Sequence, residues 1–379
     1  MEIYTGLIME YLIERATNIN PKDDLEKLLK SKKNLRVKLG VDPTAPDVTL
    51  GWYAILRMLK KFQDYGHTAV LILGEFTAQV GDPSGKSETR KVMGENEIDD
   101  NAKGVLPIIK NILNDNNLEI VSNKDWLSKL TIQDMMELAS KTTLAQMMER
   151  DDFSKRFSDN SPISLLEFFY PLYQGYDSVA VKADIEIGGN DQLWNLMLGR
   201  EIQKSYDLSP QIAITFPLLV GTDGSKKMSK SDPSDLSRIN MTDNSDMIAN
   251  KIRKAKTDQY GLPSEPKGLE GRAEAQNLVS IYAALADQSV ESVLSELGGK
   301  QFSDFKTNKS NTPISARSSA STSSDIGDVQ QSSPNNALFS DATLTILSNK
   351  NNPIVNVLFR DLYPVAMSAL EYNQAATDV

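Results

Sequence analysis

Cysteine is absent from this chain and histidine occurs once, at position 67. Without thiols there is no disulfide framework, zinc ribbon, iron–sulfur centre or thiolate nucleophile. With one imidazole, a Ser-His-Asp hydrolase or a multi-histidine metal centre would rest entirely on His67. That residue lies between Gly66 and a strongly apolar run and is read as structural. No apolar run approaches the ~18 residues a membrane helix needs. The N-terminal MEIYTGLIMEYLIERATN carries Glu early and lacks a basic region and a cleavage pattern, so no signal peptide and a cytoplasmic location are expected. A net charge of −10 argues against a general nucleic-acid coat or a membrane-surface binder.

What is present is ordinary soluble material. The 379 residues are 40% hydrophobic and 24% charged, enough for a large core and two to three domains. Residues 1–231 alternate strand-like and helical runs. LRVKLG (35–40) reads as a strand, and a helix follows over about 50–65, with Trp52, Ile55, Leu56, Leu59 and Phe62 on one face. Gly66 fits the residue that ends it. TAVLIL (68–73) is apolar throughout, as expected of a strand covered on both faces. IAITFPLLV (212–220) reads as another buried strand, preceded by a helix over about 191–206. Strand, helix, strand at these lengths is a βαβ unit, hence an α/β fold with a parallel sheet. Residues 232–306 look helical. Sixteen of the 30 residues in 307–336 are Ser, Thr or Asn, which suits a disordered linker. Residues 337–379 form an irregular tail interrupted by Pro353 and Pro364.

Ligands of an open parallel sheet sit beyond the carboxyl ends of its strands, and the loops there have unusual composition. Gly40-Val41-Asp42-Pro43-Thr44 leads to Thr49-Leu50-Gly51-Trp52 at a helix start. It suits a phosphate approaching the main chain, or simply a turn capped by Asp47 or Thr49. Gly81-Asp82-Pro83-Ser84-Gly85-Lys86-Ser87, with Arg90 beyond, suggests anion contact without the GxxxxGK spacing, or a plain turn. Tyr170, Gln174 and Asp177 share one face if YPLYQGYD is helical. That face could line a polar pocket or meet solvent. Gly188-Gly189-Asn190-Asp191-Gln192 follows the next strand. Finally, Gly224-Ser225-Lys226-Lys227-Met228-Ser229-Lys230-Ser231 is a cationic loop suited to a polyphosphate.

Four runs, VKLGVDPTAPDVTLG, GHTAVLILGEFTAQVGDPSGKSETR, LEFFYPLYQGYDSVAVKADIEIGGNDQ and PLLVGTDGSKKMSKS, resemble in order the catalytic domain of bacterial tyrosyl-tRNA synthetases. The resemblance implies a Rossmann-like catalytic domain over 1–231, a homodimer, and tyrosine adenylation by ATP followed by transfer to tRNA. It implies that Lys227, Met228, Ser229, Lys230 and Ser231 form the loop that grips pyrophosphate, helped by Lys86 and Arg90. It places Asp82, Tyr170 and Gln174 at the tyrosine ammonium, Asp177 at the phenol, and Gln192 at the carboxylate. Gly40, Asp42, Thr44, Thr49, Gly51, Trp52, Gly189 and Asp191 fall to the ATP side. Mg²⁺ accompanies ATP, and no protein-bound metal site is expected.

The chain departs from that pattern twice. The motif that normally ends in histidine is Thr49-Leu50-Gly51-Trp52 here, with both histidines replaced. Residues 232–306 resemble instead the helical anticodon-side domain of tryptophanyl-tRNA synthetases, and no S4-like domain is recognisable in 337–379. Tyrosine–tRNA ligase is the first expectation, with tRNA(Tyr) as partner. A tryptophan-specific ligase charging tRNA(Trp), or a non-catalytic RNA- or partner-binding relative, are the alternatives. Residues 226–256 hold eight Lys/Arg against four Asp, net +4, a strip that could dock RNA or be a solvated mixed surface.

Overall fold

In the computed structural model of the protein, the structure describes residues 2–31, 34–84, 92–224, 226–230, 232, 234–286 and 288–307. Lys86, Arg90, Ser231 and the expected linker and tail beyond residue 307 lie outside the described residues. The chain falls into two compact units. Among the described residues, one comprises those up to 221 with 226–243; the other comprises 222–224 with 244–307.

The larger unit is built on a six-stranded sheet. Its strands are β1 (Asn18–Asn20), β2 (Arg36–Val41), β3 (Thr68–Leu73), β4 (Leu118–Ser122), β5 (Ile185–Gly189) and β6 (Ile212–Phe216), in the order β1-β6-β5-β2-β3-β4. β2 to β6 pair in parallel, and β1 adds an antiparallel edge on β6. The fold is α/β and Rossmann-like. β3 and β4 follow β2 to one side, while β5 and β6 lie on the other. The strand order therefore reverses between β2 and β5, where open sheets of this kind leave their crevice.

Local sequence explains most elements. Every residue of β3 is buried, so its unbroken apolar run reflects cover on both faces. The helix Leu50–Asp64 buries Leu50, Tyr53, Leu56, Leu59 and Phe62 at three-residue steps, with Ile55 beside them, so one face of the helix meets the core. It ends in a Schellman turn: Gly66 at φ 87° donates to the Gln63 carbonyl at 2.8 Å, and His67 donates to Phe62 at 3.0 Å. His67 is buried beside Leu35, whose N–H meets its Nδ1 at 3.4 Å, and burial lowers its pKa. It precedes β3, at the end of the sheet away from the crevice.

Some boundaries differ from expectation. β6 stops at Phe216 and not at 220, because Pro217 has no N–H to continue the ladder. A 3₁₀ turn, Asn190–Gln192, precedes the helix Leu193–Ser205. β1 and β4 carried no clear sequence signal: β1 has three residues, and all residues of β4 are only half-buried. The larger unit also runs on to residue 243. Main-chain bonds from Leu50 to Ile239 and from Met241 to Val48, both 2.8 Å, tie 239–241 to the start of the Leu50–Asp64 helix.

The smaller unit is helical among its described residues, with Ser245–Lys254, Ala273–Ala286, Val290–Leu297 and Phe302–Thr307. Ile248, Ile252, Leu278, Val293, Leu294 and Phe305 form its interior. The paired bonds from Arg272 to Asp258, at 2.7 and 2.8 Å, clamp the loop before Ala273–Ala286. The cationic strip is thinner than its sequence suggests. Lys251 is buried, while Lys227, Arg238 and Lys256 are ion-paired with Asp191, Asp235 and Glu274.

Candidate active site

A cavity of about 530 Å³ opens at the carboxyl ends of the central strands. It collects residues from all four motif loops. Asp82, Tyr170, Gln174, Asp177 and Gln192 line it, as do Gly40, Asp42, Thr44, Gly51 and Trp52. Gly189, Asp191, Lys227, Met228, Ser229 and Lys230 also stand on its wall. Thr49 is the exception: it is 1% exposed and does not line the cavity. It occupies the helix N-cap position without making a cap bond, and its buried Oγ1 has no hydrogen-bond partner among the described residues.

The helix Tyr170–Ala180 carries three of these side chains on one face, as the i, i+4, i+7 spacing requires. Asp177 is 4% exposed. Trp126 Nε1 donates to one of its oxygens at 2.8 Å, and Asn123 Nδ2 to the other at 3.3 Å. Burial pushes its carboxyl up to about 7. Lys38, Trp126 and Asn123 pull it down, and Glu186 adds a smaller push upward. Asn123 also donates to Thr77 Oγ1 at 3.0 Å, and Thr77 donates to Asp42 Oδ1 at 2.8 Å. The other oxygen of Asp42 accepts from the Tyr170 hydroxyl at 3.0 Å. A second chain runs from Asn195, which donates to Gln174 at 2.9 Å and Gln192 at 3.2 Å; Gln192 in turn donates to Asp82 at 2.9 Å. The polar wall is thus held in one arrangement before any ligand arrives.

Glycines make room along this wall. A Cβ at Gly74 would lie 1.9 Å from Asp42 Oδ1, so only glycine lets that carboxylate sit where it does. A Cβ at Gly40 would meet no atom within 4 Å, which leaves main chain exposed to the cavity. That opening would let a phosphate approach the main chain. Among the described residues no cluster of acidic or histidine side chains could hold a metal ion.

The cationic loop folds back onto the same cavity. Main-chain bonds from Gly221 to Lys226 (2.7 Å) and from Met228 to Leu219 (2.8 Å) hold its base. Lys227 Nζ lies 2.5 Å from Asp191, and Lys230 Nζ lies 3.4 Å from the Asp42 carbonyl. Lys230 Nζ is also 5.4 Å from the centre of the Trp52 ring. Trp52 therefore stands on the cavity wall, not in the core, and carries a loop lysine on its face.

The sequence profile of the tRNA synthetases class I (W and Y) matches residues 30–311. The chain belongs to this family. Among its relatives, the tyrosine–tRNA ligase of Carboxydothermus hydrogenoformans is 54% identical over 227 residues, 59% of this chain and 55% of the relative. Those of Haemophilus influenzae and Thermotoga maritima are 52% and 49% identical over 58% and 59% of this chain, and 55% and 56% of their own. The chain thus matches a little over half the length of these relatives. Among solved structures, the tyrosyl-tRNA synthetase of Aeropyrum pernix superposes with a TM-score of 0.66 at 16% identity, covering 96% of this chain and 94% of that one. The Archaeoglobus fulgidus enzyme, complexed with L-tyrosine, gives 0.63 at 19% identity, covering 96% and 99%. At such identities these two bear on the fold alone.

Sequence reasoning missed Lys38, Asn123, Trp126, Glu186 and Asn195. Lys38 and Glu186 carried a signal: each is a charge inside an otherwise apolar strand run, VKLG and IEIGG. Such charges are buried only when paired. Asn123 and Trp126 follow β4, whose weak signal hid the loop that carries them.

Proposed function

We propose that this chain is a tyrosine–tRNA ligase that activates L-tyrosine with ATP and transfers it to tRNA(Tyr). Asp177 carries the reading: a buried carboxylate, already fixed by two donors, that accepts a phenolic proton and leaves phenylalanine with an unpaired group. In activation the tyrosine carboxylate attacks the α-phosphorus of ATP and pyrophosphate leaves. The nucleophile is already ionised, so no enzyme nucleophile is needed and the lack of cysteine costs nothing. Positioning and charge stabilisation supply the rate. Asp82, Tyr170 and Gln174 are assigned to the ammonium group, Gln192 to the carboxylate, and Asp42 and Asp191 to the adenylate. Lys227 and Lys230 are assigned to the leaving pyrophosphate.

The test is ATP–pyrophosphate exchange dependent on the amino acid. Stimulation by tyrosine is expected. Stimulation by tryptophan alone would make this a tryptophan enzyme, and neither exchange nor ATP binding would make it a non-catalytic relative. Lys227→Ala is expected to slow exchange about 100-fold while calorimetric tyrosine affinity stays within about twofold, since removing one charge-stabilising donor costs roughly 10²–10³ in rate.

The helical residues 244–307 are assigned to the anticodon side, and cytoplasm is the proposed location. No helix among the described residues is long and apolar enough to cross a membrane. A homodimer is proposed because large apolar side chains stay exposed within 132–165: Ile132, Met136, Leu144, Phe157 and Leu165 are 66–82% accessible. The pair Ile132→Glu and Leu165→Glu is expected to convert a dimer to a monomer in light scattering. A dimer that survives both places the interface elsewhere.

A further inference from the structure

Lys38 in β2 and Glu186 in β5 are direct partners in the parallel register at the centre of the sheet. They are 0% and 1% exposed, and Nζ lies 3.0 Å from Oε1. A buried ion pair is a poor source of stability, because desolvation offsets the attraction, and apolar residues of similar volume would serve a sheet as well. The contacts of this pair run toward the cavity. Lys38 Nζ donates to the Gln174 carbonyl and to Ser178 Oγ, both at 2.8 Å. Glu186 accepts from Gln174 Nε2 at 3.1 Å and Ser178 Oγ at 3.2 Å, and also from Gln211 Nε2. Gln174 is therefore held at its main chain by one member and at its side chain by the other. Asp177 lies between the two gripped residues, Gln174 and Ser178, on the same helix.

We infer that Lys38 and Glu186 are positioning residues for the amino-acid pocket, gripping the Tyr170–Ala180 helix at Gln174 and Ser178 and tuning the carboxylate of Asp177. The inference rests on reading the cavity as the tyrosine site. The groups facing Asp177 come from three directions. Lys38 from β2 favours its ionised form, and Glu186 from β5 opposes it. The loop after β4 contributes the neutral donors Trp126 and Asn123. Asp42 stands beyond Asn123 and Thr77. An ionised Asp177 accepts the phenol hydrogen, so tyrosine affinity is expected to rise with pH through the titration of this group.

The experiment reads that titration with and without ligand. Trp126 donates to Asp177, so its indole N–H resonance follows the carboxylate in the ligand-free protein; Trp126→Phe assigns the peak. Calorimetry with L-tyrosine and L-phenylalanine between pH 6 and 9 supplies the second midpoint. Glu186→Gln removes the opposing charge and is expected to move both midpoints down by about half a unit or more. The Lys38→Met, Glu186→Gln double variant leaves no unpaired buried charge, so it keeps the fold, and it is expected to move both midpoints up. Opposite displacements support the inference. Midpoints unmoved in the folded variants overturn it, whatever happens to affinity. Wild-type protein that takes up no tyrosine at any pH refutes the tyrosine reading instead, while the indole titration still tests the tuning of Asp177.

Discussion

Trp52→His is expected to raise tyrosine-dependent ATP–pyrophosphate exchange by about 10- to 100-fold over the parent protein. Trp52 fills the last position of a motif that ends in histidine in the enzymes this chain resembles. It lines the cavity, and its face lies 5.4 Å from Lys230 Nζ. Two effects then oppose activation. The indole is bulkier than an imidazole and offers one N–H, so a charge-stabilising donor is weakened, an effect worth roughly 10²–10³ in other enzymes. Its face also attracts Lys230, worth about 0.5–1 kcal/mol, or 2 when desolvated. A phosphate must win that lysine from the ring. Histidine removes both penalties, and a tenfold gain requires only about 1.4 kcal/mol at the transition state. Trp52→Phe separates them: it keeps a cationic lysine on an aromatic face but has no N–H, so exchange is expected at or below the parent rate. A Trp52→His protein that is no faster than its parent would show that the main chain near Gly51 does the binding and that Trp52 is neutral.

Asp177→Asn is expected to remove most discrimination between tyrosine and phenylalanine and to stabilise the fold at neutral pH. Sites built to hydrogen-bond a hydroxyl reject the analogue lacking it by roughly 10⁴–10⁵, because the buried group is left unpaired. Asparagine is neutral and is desolvated at less cost, so the ratio of exchange efficiencies is expected to fall by about 100-fold or more. The stability effect follows from the raised carboxyl. Burial raises the Asp177 carboxyl from its ordinary 3.8 to about 7 in the folded chain. The folded state therefore holds its proton to higher pH than the unfolded chain does. The contribution of this group is full below about pH 4, is lost as pH rises toward 7, and is flat above. About three units correspond to on the order of 4 kcal/mol. Denaturant melts at pH 4.5 and pH 8 test this: the advantage of Asp177→Asn over the parent is expected to grow by a few kcal/mol between them. A difference independent of pH would mean that Asp177 is not the group that titrates.

Most of the site was legible because its loops are long, ordered along the chain and rich in residues with few structural uses. Glycines beside charges, a face of Tyr170, Gln174 and Asp177, and three lysines within five residues all stood out in the linear text. Thr49 was placed in the site by its position in a motif, yet it is buried and does not line the cavity. Motif position constrains the main chain, whereas the rotamer depends on neighbours. The buried pair of β2 and β5 was invisible as a pair because its members are 148 residues apart, and only the register of two strands makes them neighbours.

The sequence by itself determined the chemistry available to this protein. With no cysteine and a single structural histidine, it is left with carboxylates, amides, lysines and exposed main chain, and periodicity set those on a parallel α/β frame. Only the tertiary structure decided how they act together. The reversal of strand order between β2 and β5 opens the crevice, and burial makes Asp177 an acid near neutrality. Folding of the lysine loop places Lys230 against Trp52. Each depends on distance and desolvation between residues remote in the chain, and neither quantity is encoded locally. The scarcity of histidine therefore takes its meaning from one contact, a tryptophan ring beneath the lysine that the nucleotide would need.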